Sequence, residues 1–222
     1  MRACAFVMAV GCVLLTAGCK NQRSTFYDVS EISVFFEVVT TPEKTVAKAT
    51  FSVRGGDVFL FLGGRDEILV NEVPLVRQEG ESYDYYSAEI PAAEAYTFVF
   101  KRRDAAYEAN VFAPEPLELT APAPDARLSR AAGFNVSWTG HQNAKVTVEV
   151  NGEGIVPFSR LELDTGVCVV GPGAVEAADP AAGELPAVLA VTRSNWSEAL
   201  PPEMAGQVVA RMRAEVPVVS VP

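Results

Sequence analysis

Four cysteines, one histidine and 28 carboxylates are the groups in this 222-residue chain that could do covalent, acid–base or metal chemistry. The histidine, His141, stands in the polar turn Gly140-His141-Gln142-Asn143. A Ser-His-Asp hydrolase would have to use it as its base. No Gly-x-Ser-x-Gly elbow supplies the nucleophile, and the nearest serines, Ser129 and Ser137, stand in no supporting motif, so His141 reads as a solvated turn residue. Zinc needs three or four His, Cys or carboxylate ligands, more than one histidine and a single cysteine beyond the N-terminal region offer. The carboxylates are scattered over strands and turns, and no Asp-x-Asp-x-Asp-Gly calcium loop occurs. Arg54-Gly55-Gly56-Asp57 and Gly63-Gly64-Arg65-Asp66 open no helix with the spacing of a phosphate loop and read as turns. We therefore assign no catalytic, cofactor-binding or metal residue and expect no cofactor. A glycosidase pair is set by tertiary geometry, so an envelope enzyme acting on polysaccharide through unrecognised carboxylates stands as the alternative function.

The remaining chemistry lies at the N-terminus. Met1-Arg2 carries one positive charge, and an uncharged stretch follows from Ala3 to Ala17. This is the pattern of a secretory signal, and it falls short of the roughly 20 apolar residues of a membrane-spanning helix. Its end, Leu14-Leu15-Thr16-Ala17-Gly18-Cys19, resembles the lipobox of bacterial lipoprotein signal peptides, with Thr16 in place of the commoner Leu. The resemblance implies that residues 1–18 are removed and that Cys19 is the lipid attachment site, carrying acyl chains such as palmitate into the membrane. Two or three chains anchor durably where one would not. Lys20, rather than Asp, after the cysteine resembles lipoproteins sorted to the outer membrane. Cleavage would also remove Cys4 and Cys12, leaving Cys168 without a partner for an intramolecular disulfide. Cys168 sits in the apolar run Gly166-Val167-Cys168-Val169-Val170 and reads as a buried, inert thiol.

The elements behind these residues follow a period of two. Eighteen basic residues against the 28 acidic ones give a net charge of −10, which argues against nucleic acid as a partner. Residues 19–31 are polar and read as a tether. Ile32, Val34, Phe36 and Val38 then share one face, with Ser33 and Glu37 among those opposite; Ala49, Phe51 and Val53 alternate with Lys48, Thr50 and Ser52, and Tyr96, Phe98 and Phe100 recur at the same spacing. Val58–Leu62 is apolar on both faces. Short strands with Gly-rich turns predict a mainly β fold of two small antiparallel β-sandwich domains, at 32–113 and 125–222. The Pro-rich stretch 114–124 between them reads as a stiff linker running into a first edge strand. In the second half, Phe134, Val136 and Trp138 share one face, and Val146, Val148 and Val150 follow after a polar turn. This spacing resembles fibronectin type III and other immunoglobulin-like domains, which implies a Trp138 packed between two sheets. Gly171–Pro186 holds eleven Gly, Ala or Pro residues and reads as a long, mobile connection. Lys101-Arg102-Arg103 reads as a solvated strand end.

One polar-aromatic stretch, Glu79 to Tyr86, stands out as a recognition surface. If it is extended, Tyr83 and Tyr85 share one face and Tyr86 turns to the core with Ala88 and Ile90. Tyrosine offers amphipathic contact area at low entropy cost. The expectation is a non-catalytic, lipid-anchored bacterial envelope protein at the outer membrane. It would act as a binding, scaffolding or adhesion module toward an envelope protein or glycan.

Overall fold

The computed structural model describes residues 21–56, 58–141, 144–197 and 199–222, so Cys19 and the signal sequence lie outside the described residues. Period-two alternation forms strands throughout. In Ile32–Thr40 the side chains Ile32, Val34, Phe36 and Val38 are buried and their neighbours are half-buried. Its hairpin partner, Thr45–Val53, buries Ala47, Ala49 and Phe51 in the same way. These two strands, extended by Phe59–Phe61 and Tyr85–Ile90, face a second sheet containing Glu67–Val70, Ala95–Arg102 and Ala105–Phe112. Aromatic rings join the sheets: Phe36 stacks on Phe98 of the second sheet at 4.7 Å, and it meets Phe51 of its own sheet edge-on at 5.8 Å. Such pairs add to the burial of their apolar area.

The second half is also a sandwich. Leu119–Ala121, Phe134–Trp138 and Val167–Val170 form one sheet. Opposite lie Ala126–Ser129, the long strands Ala205–Val221 and Leu185–Ser197, then Lys145–Asn151 and Phe158–Leu163. Trp138 is buried between them with Val136, Val148, Leu189 and Val216, the place the immunoglobulin-like resemblance implies. Cys168 is buried in this core, and burial, with the nearby Glu162 carboxylate, raises its thiol above the ordinary cysteine value. Iodoacetamide should alkylate it at neutral pH only after denaturant is added. Rapid labelling of the folded protein would contradict its burial.

The halves are not separate beads on a linker. The last strand, Ala205–Val221, pairs in parallel with Ile32–Thr40 through residues 205–212, and antiparallel with Leu185–Ser197 along that strand's full length. Its inward residues serve both cores: Val208 and Ala210 pack into the first, Ala214, Val216 and Val218 into the second. Because alternation continues unbroken along this strand, both cores lie on one side of a single eleven-stranded sheet. Apart from Met204 and this strand, the buried residues of the first core fall within 32–111 and those of the second within 117–191, so the last strand belongs to both units.

Three further expectations are corrected by contacts between distant residues, and the entry to the Pro-rich stretch gains partners of its own. Residues 21–31 are no free tether: Gln22–Arg23 pairs in parallel with Leu60–Phe61, and two short 3-10 turns follow. Ser24 is fully buried, donating to Asp66 Oδ2 at 2.6 Å and accepting from the Gly63 amide at 3.0 Å. Arg102, expected in solvent, is buried and donates to the carbonyls of Ser24 and Tyr27. The stretch after Phe112 is held along Leu185–Ser197, with Asn195 Nδ2 on the carbonyls of Phe112 and Ala113 and Arg193 Nη1 on those of Glu115 and Pro116. Gly171–Pro186 is pinned as well: Val175 is buried, Gly173 donates to the Arg130 carbonyl, and Arg130 Nη2 donates to the carbonyls of Ala182 and Gly183. In each case a polar or small-residue segment finds backbone partners that replace water, and only the folded chain brings them together.

Candidate functional site

The side of the shared sheet that faces away from both cores carries the densest set of recognition-type side chains. It is built by alternation. Leu60 is buried, so Phe59 and Phe61 on either side of it turn outward, and Lys48 turns outward between Ala47 and Ala49. Tyr86 points inward, its ring edge-on to Phe51 and its hydroxyl accepting from the Leu62 amide. Burial therefore raises the Tyr86 phenol above its ordinary value, an effect the Leu62 amide only partly offsets. Tyr83 and Tyr85 consequently share the outer face.

There the expected residues meet others. Tyr83 stacks on Phe59 at 4.2 Å with the rings nearly parallel. The Lys48 ammonium lies 4.3 Å from the Tyr85 ring centre and 5.9 Å from that of Tyr83. At the edge of the sheet Arg77, in register with the inward Tyr86, reaches the Phe61 ring at 4.5 Å and pairs with the buried carboxylate of Asp84, to which its Nε donates at 2.8 Å. Cations over aromatic faces contribute about 0.5–1 kcal/mol each at exposed sites, and they hold the rings in place. The result is a fixed array of rings with positive charge above them, offering flat apolar area and ammonium or guanidinium donors together.

A second patch lies farther across the same face, where the two halves meet. Glu37 Oε1 lies 2.7 Å from Arg211 Nε, an ion contact off the N–H direction, and the Arg211 guanidinium sits 5.6 Å from the exposed Trp196 ring. Arg213 bridges Glu149 at 2.7 Å and Glu215 at 3.0 Å. Glu37, Glu149, Arg211 and Arg213, with Thr147, Thr192 and Val39, line a shallow depression of about 220 Å³. It alternates acid and base, as suits a ligand presenting hydroxyls or paired charges.

Elsewhere, His141 is exposed and lines a broad groove of about 1210 Å³ between the halves, with Lys145, Glu94, Glu115 and Phe112. No serine or cysteine lies among the residues lining it except Ser194, on the penultimate strand. Among the described residues no group of three or more His, Cys, Asp or Glu is placed to hold a metal ion. Phe59, Phe61, Lys48, Arg77, Trp196 and Arg211 were not singled out from sequence. One signal did exist: a run apolar on both faces, such as Val58–Leu62, must put aromatic residues on the outer face if it is a strand of a sandwich.

No family model matches the chain, and no curated protein matches it. Among solved structures it overlaps a chain of the complex of Dpr11 IG1 bound to DIP-gamma IG+IG2. That overlap has 12% identity, covers 83% of this chain and 98% of that one, and has a TM-score of 0.22. The titin domains Z1Z2 in complex with telethonin overlap at 11% identity over 82% of this chain and 93% of that one, again with a TM-score of 0.22. The β-sandwich description rests on the strand pairing and the two cores rather than on these overlaps.

Proposed function

We propose that this chain is a non-catalytic binding module of the bacterial cell envelope, held at the outer membrane by acyl chains on Cys19. Its ligand or partner, a protein or a glycan of the envelope, is met by the outer face of the shared sheet. The observation that carries the binding role is that face itself. Tyr83, Tyr85, Phe59 and Trp196 are collected there with Lys48 and Arg211 on one rigid sheet. Rigid aromatic anchors beside fixed cations are the residue types that dominate recognition surfaces. The lipobox-like run ending at Cys19 supports the anchor. Ser24, already buried in the fold, is five residues beyond Cys19, a reach of at most about 17 Å for an extended chain. An acylated Cys19 would thus keep the first sandwich close to the headgroups, with the outer face free to engage.

The test combines both parts in intact cells. Palmitate label should enter the wild-type protein and disappear from Cys19→Ser. Crosslinking followed by mass spectrometry should recover an envelope partner from the wild type, and much less of it from a Tyr85→Ala/Trp196→Ala protein that is still labelled. Label retained by Cys19→Ser would refute the anchor, and equal recovery by the double variant would refute the binding face.

A further inference from the structure

Exposed apolar side chains are not spread evenly over this molecule. Among the described residues, five of the ten large hydrophobic side chains that stand in solvent lie between 156 and 169: Val156, Leu161, Leu163, Val167 and Val169. Leu161 and Leu163 are 63% and 65% exposed, on a strand at the end of the shared sheet. That strand, Phe158–Leu163, pairs with Lys145–Asn151 on one side only, in a regular register without a bulge. It contains no Pro and no bulge, and its two charges, Arg160 and Glu162, lie opposite the core residues Val148 and Val146 on the inner side of the strand.

The ladder fixes which backbone groups are open. The Asp164 amide donates to the Ala144 carbonyl at 3.1 Å, which makes 164 and 144 a hydrogen-bonded pair. Hydrogen-bonded pairs alternate in an antiparallel ladder, so Phe158, Arg160 and Glu162 bond inward. The N–H and C=O of Ser159 and Leu161, and the N–H of Leu163, point to the free edge. The Leu163 carbonyl already accepts from Thr165.

We propose that this edge is an interface between two copies of the chain, joined antiparallel about a two-fold axis through Leu161. The sequence Ser159-Arg160-Leu161-Glu162-Leu163 is complementary to itself in that register. Leu161 meets Leu161 of the second copy through two backbone bonds, and the Ser159 carbonyl meets the Leu163 amide on each side. Arg160 of each copy then stands opposite Glu162 of the other. In the single chain these two side chains pair with each other, 51% and 23% exposed, and Arg160 Nη1 also reaches the Val169 carbonyl at 3.3 Å. On the outward side, Leu161 is covered by its own copy and Leu163 lies diagonal to it, within contact range across strands. An isologous interface of this kind closes at two copies and leaves no further edge of the same type. Joined in this way, the two large sheets form one, with the outer face repeated on each half.

Self-complementarity gives a test that a structural role for Arg160 or Glu162 does not mimic. Two full-length copies with different tags are co-expressed, and one is purified in mild detergent while the other is quantified. Wild-type copies should co-purify. When both copies carry Arg160→Glu, Glu faces Glu across the axis, and recovery should fall at least tenfold. Glu162→Arg in both copies places Arg opposite Arg and should do the same. One Arg160→Glu copy mixed with one Glu162→Arg copy restores opposite charges at both positions, and recovery should return to near the wild-type level. In intact cells, Leu161→Cys should give a disulfide-linked dimer, since directly opposite residues lie about 5.5 Å apart at Cα, within disulfide range. Absence of wild-type co-purification would overturn the proposal, as would a mixed pair recovered no better than the single reversals.

Discussion

Gly206→Ala is expected to destabilise the protein by about 3 kcal/mol, the scale of enforced backbone strain combined with overpacking. Gly206 opens the last strand opposite Val34, at the point where that strand enters the first sheet. Its φ of +136° is one that residues with a side chain rarely adopt, and an added Cβ would lie 1.9 Å from the Val34 carbonyl oxygen. Backbone cannot move aside as a flexible side chain can, so the strand must shift away from Ile32–Thr40. Val208 and Ala210 would leave the first core with it. The urea midpoint should fall sharply. Gly183→Ala, where an added Cβ meets nothing within 4 Å and φ is ordinary, should leave it within about 0.5 kcal/mol of wild type. A Gly206→Ala protein that unfolds like the wild type would show that the parallel seam is not formed in solution.

The second large effect is expected at Asp164. Its carboxylate accepts from the Trp138 indole at 2.7 Å and from Arg193 Nε at 2.6 Å, and both side chains of the ion pair are almost wholly buried. Arg193 extends the network to the carbonyls of Glu115, Pro116 and Thr139, so one guanidinium closes the second sandwich over its own entry segment. Asp164→Ala leaves that cation buried without its counter-ion and the indole without an acceptor, a loss of about 3–5 kcal/mol. Burial alone would raise the Asp164 carboxyl, but the hydrogen bonds from Arg193 and Trp138 outweigh it and hold the group below the ordinary carboxylate value. A depressed folded value means that the stabilisation is complete above the unfolded value of about 3.9 and is lost as pH falls below it toward the folded value. Asp164→Asn should therefore be less stable than wild type at pH 7, with a gap that narrows below about pH 4. A gap independent of pH would remove the carboxylate from the account.

Much of the local structure was legible because one short rule governs it. In strands that bury one side, apolar residues must recur every second position, and Ile32–Val38, Phe134–Trp138 and Val146–Val150 do so with few exceptions. The inward turn of Tyr86 and the outward turn of Tyr83 and Tyr85 followed from the same rule. The burial of Cys168 was legible too, from the apolar run around it. Ser24 and Arg102 were misread as solvated because a polar residue within a polar segment gives no local signal of burial. Their partners, Asp66, Gly63 and the Tyr27 carbonyl, lie dozens of residues away or on another strand.

By itself the sequence determined the class of fold, the two hydrophobic cores and the lipobox-like run at Cys19. Each depends on residues close together along the chain, where periodicity or composition decides the outcome. Only the tertiary structure decided that the last strand is shared, that Lys48, Phe59 and Trp196 join the tyrosines on one face, and that the Phe158–Leu163 edge is open. Strand order and pairing partners are set by long-range complementarity between surfaces. A strand of seventeen residues such as Ala205–Val221 reads the same whether it serves one sheet or two. What differs is the neighbour that it finds.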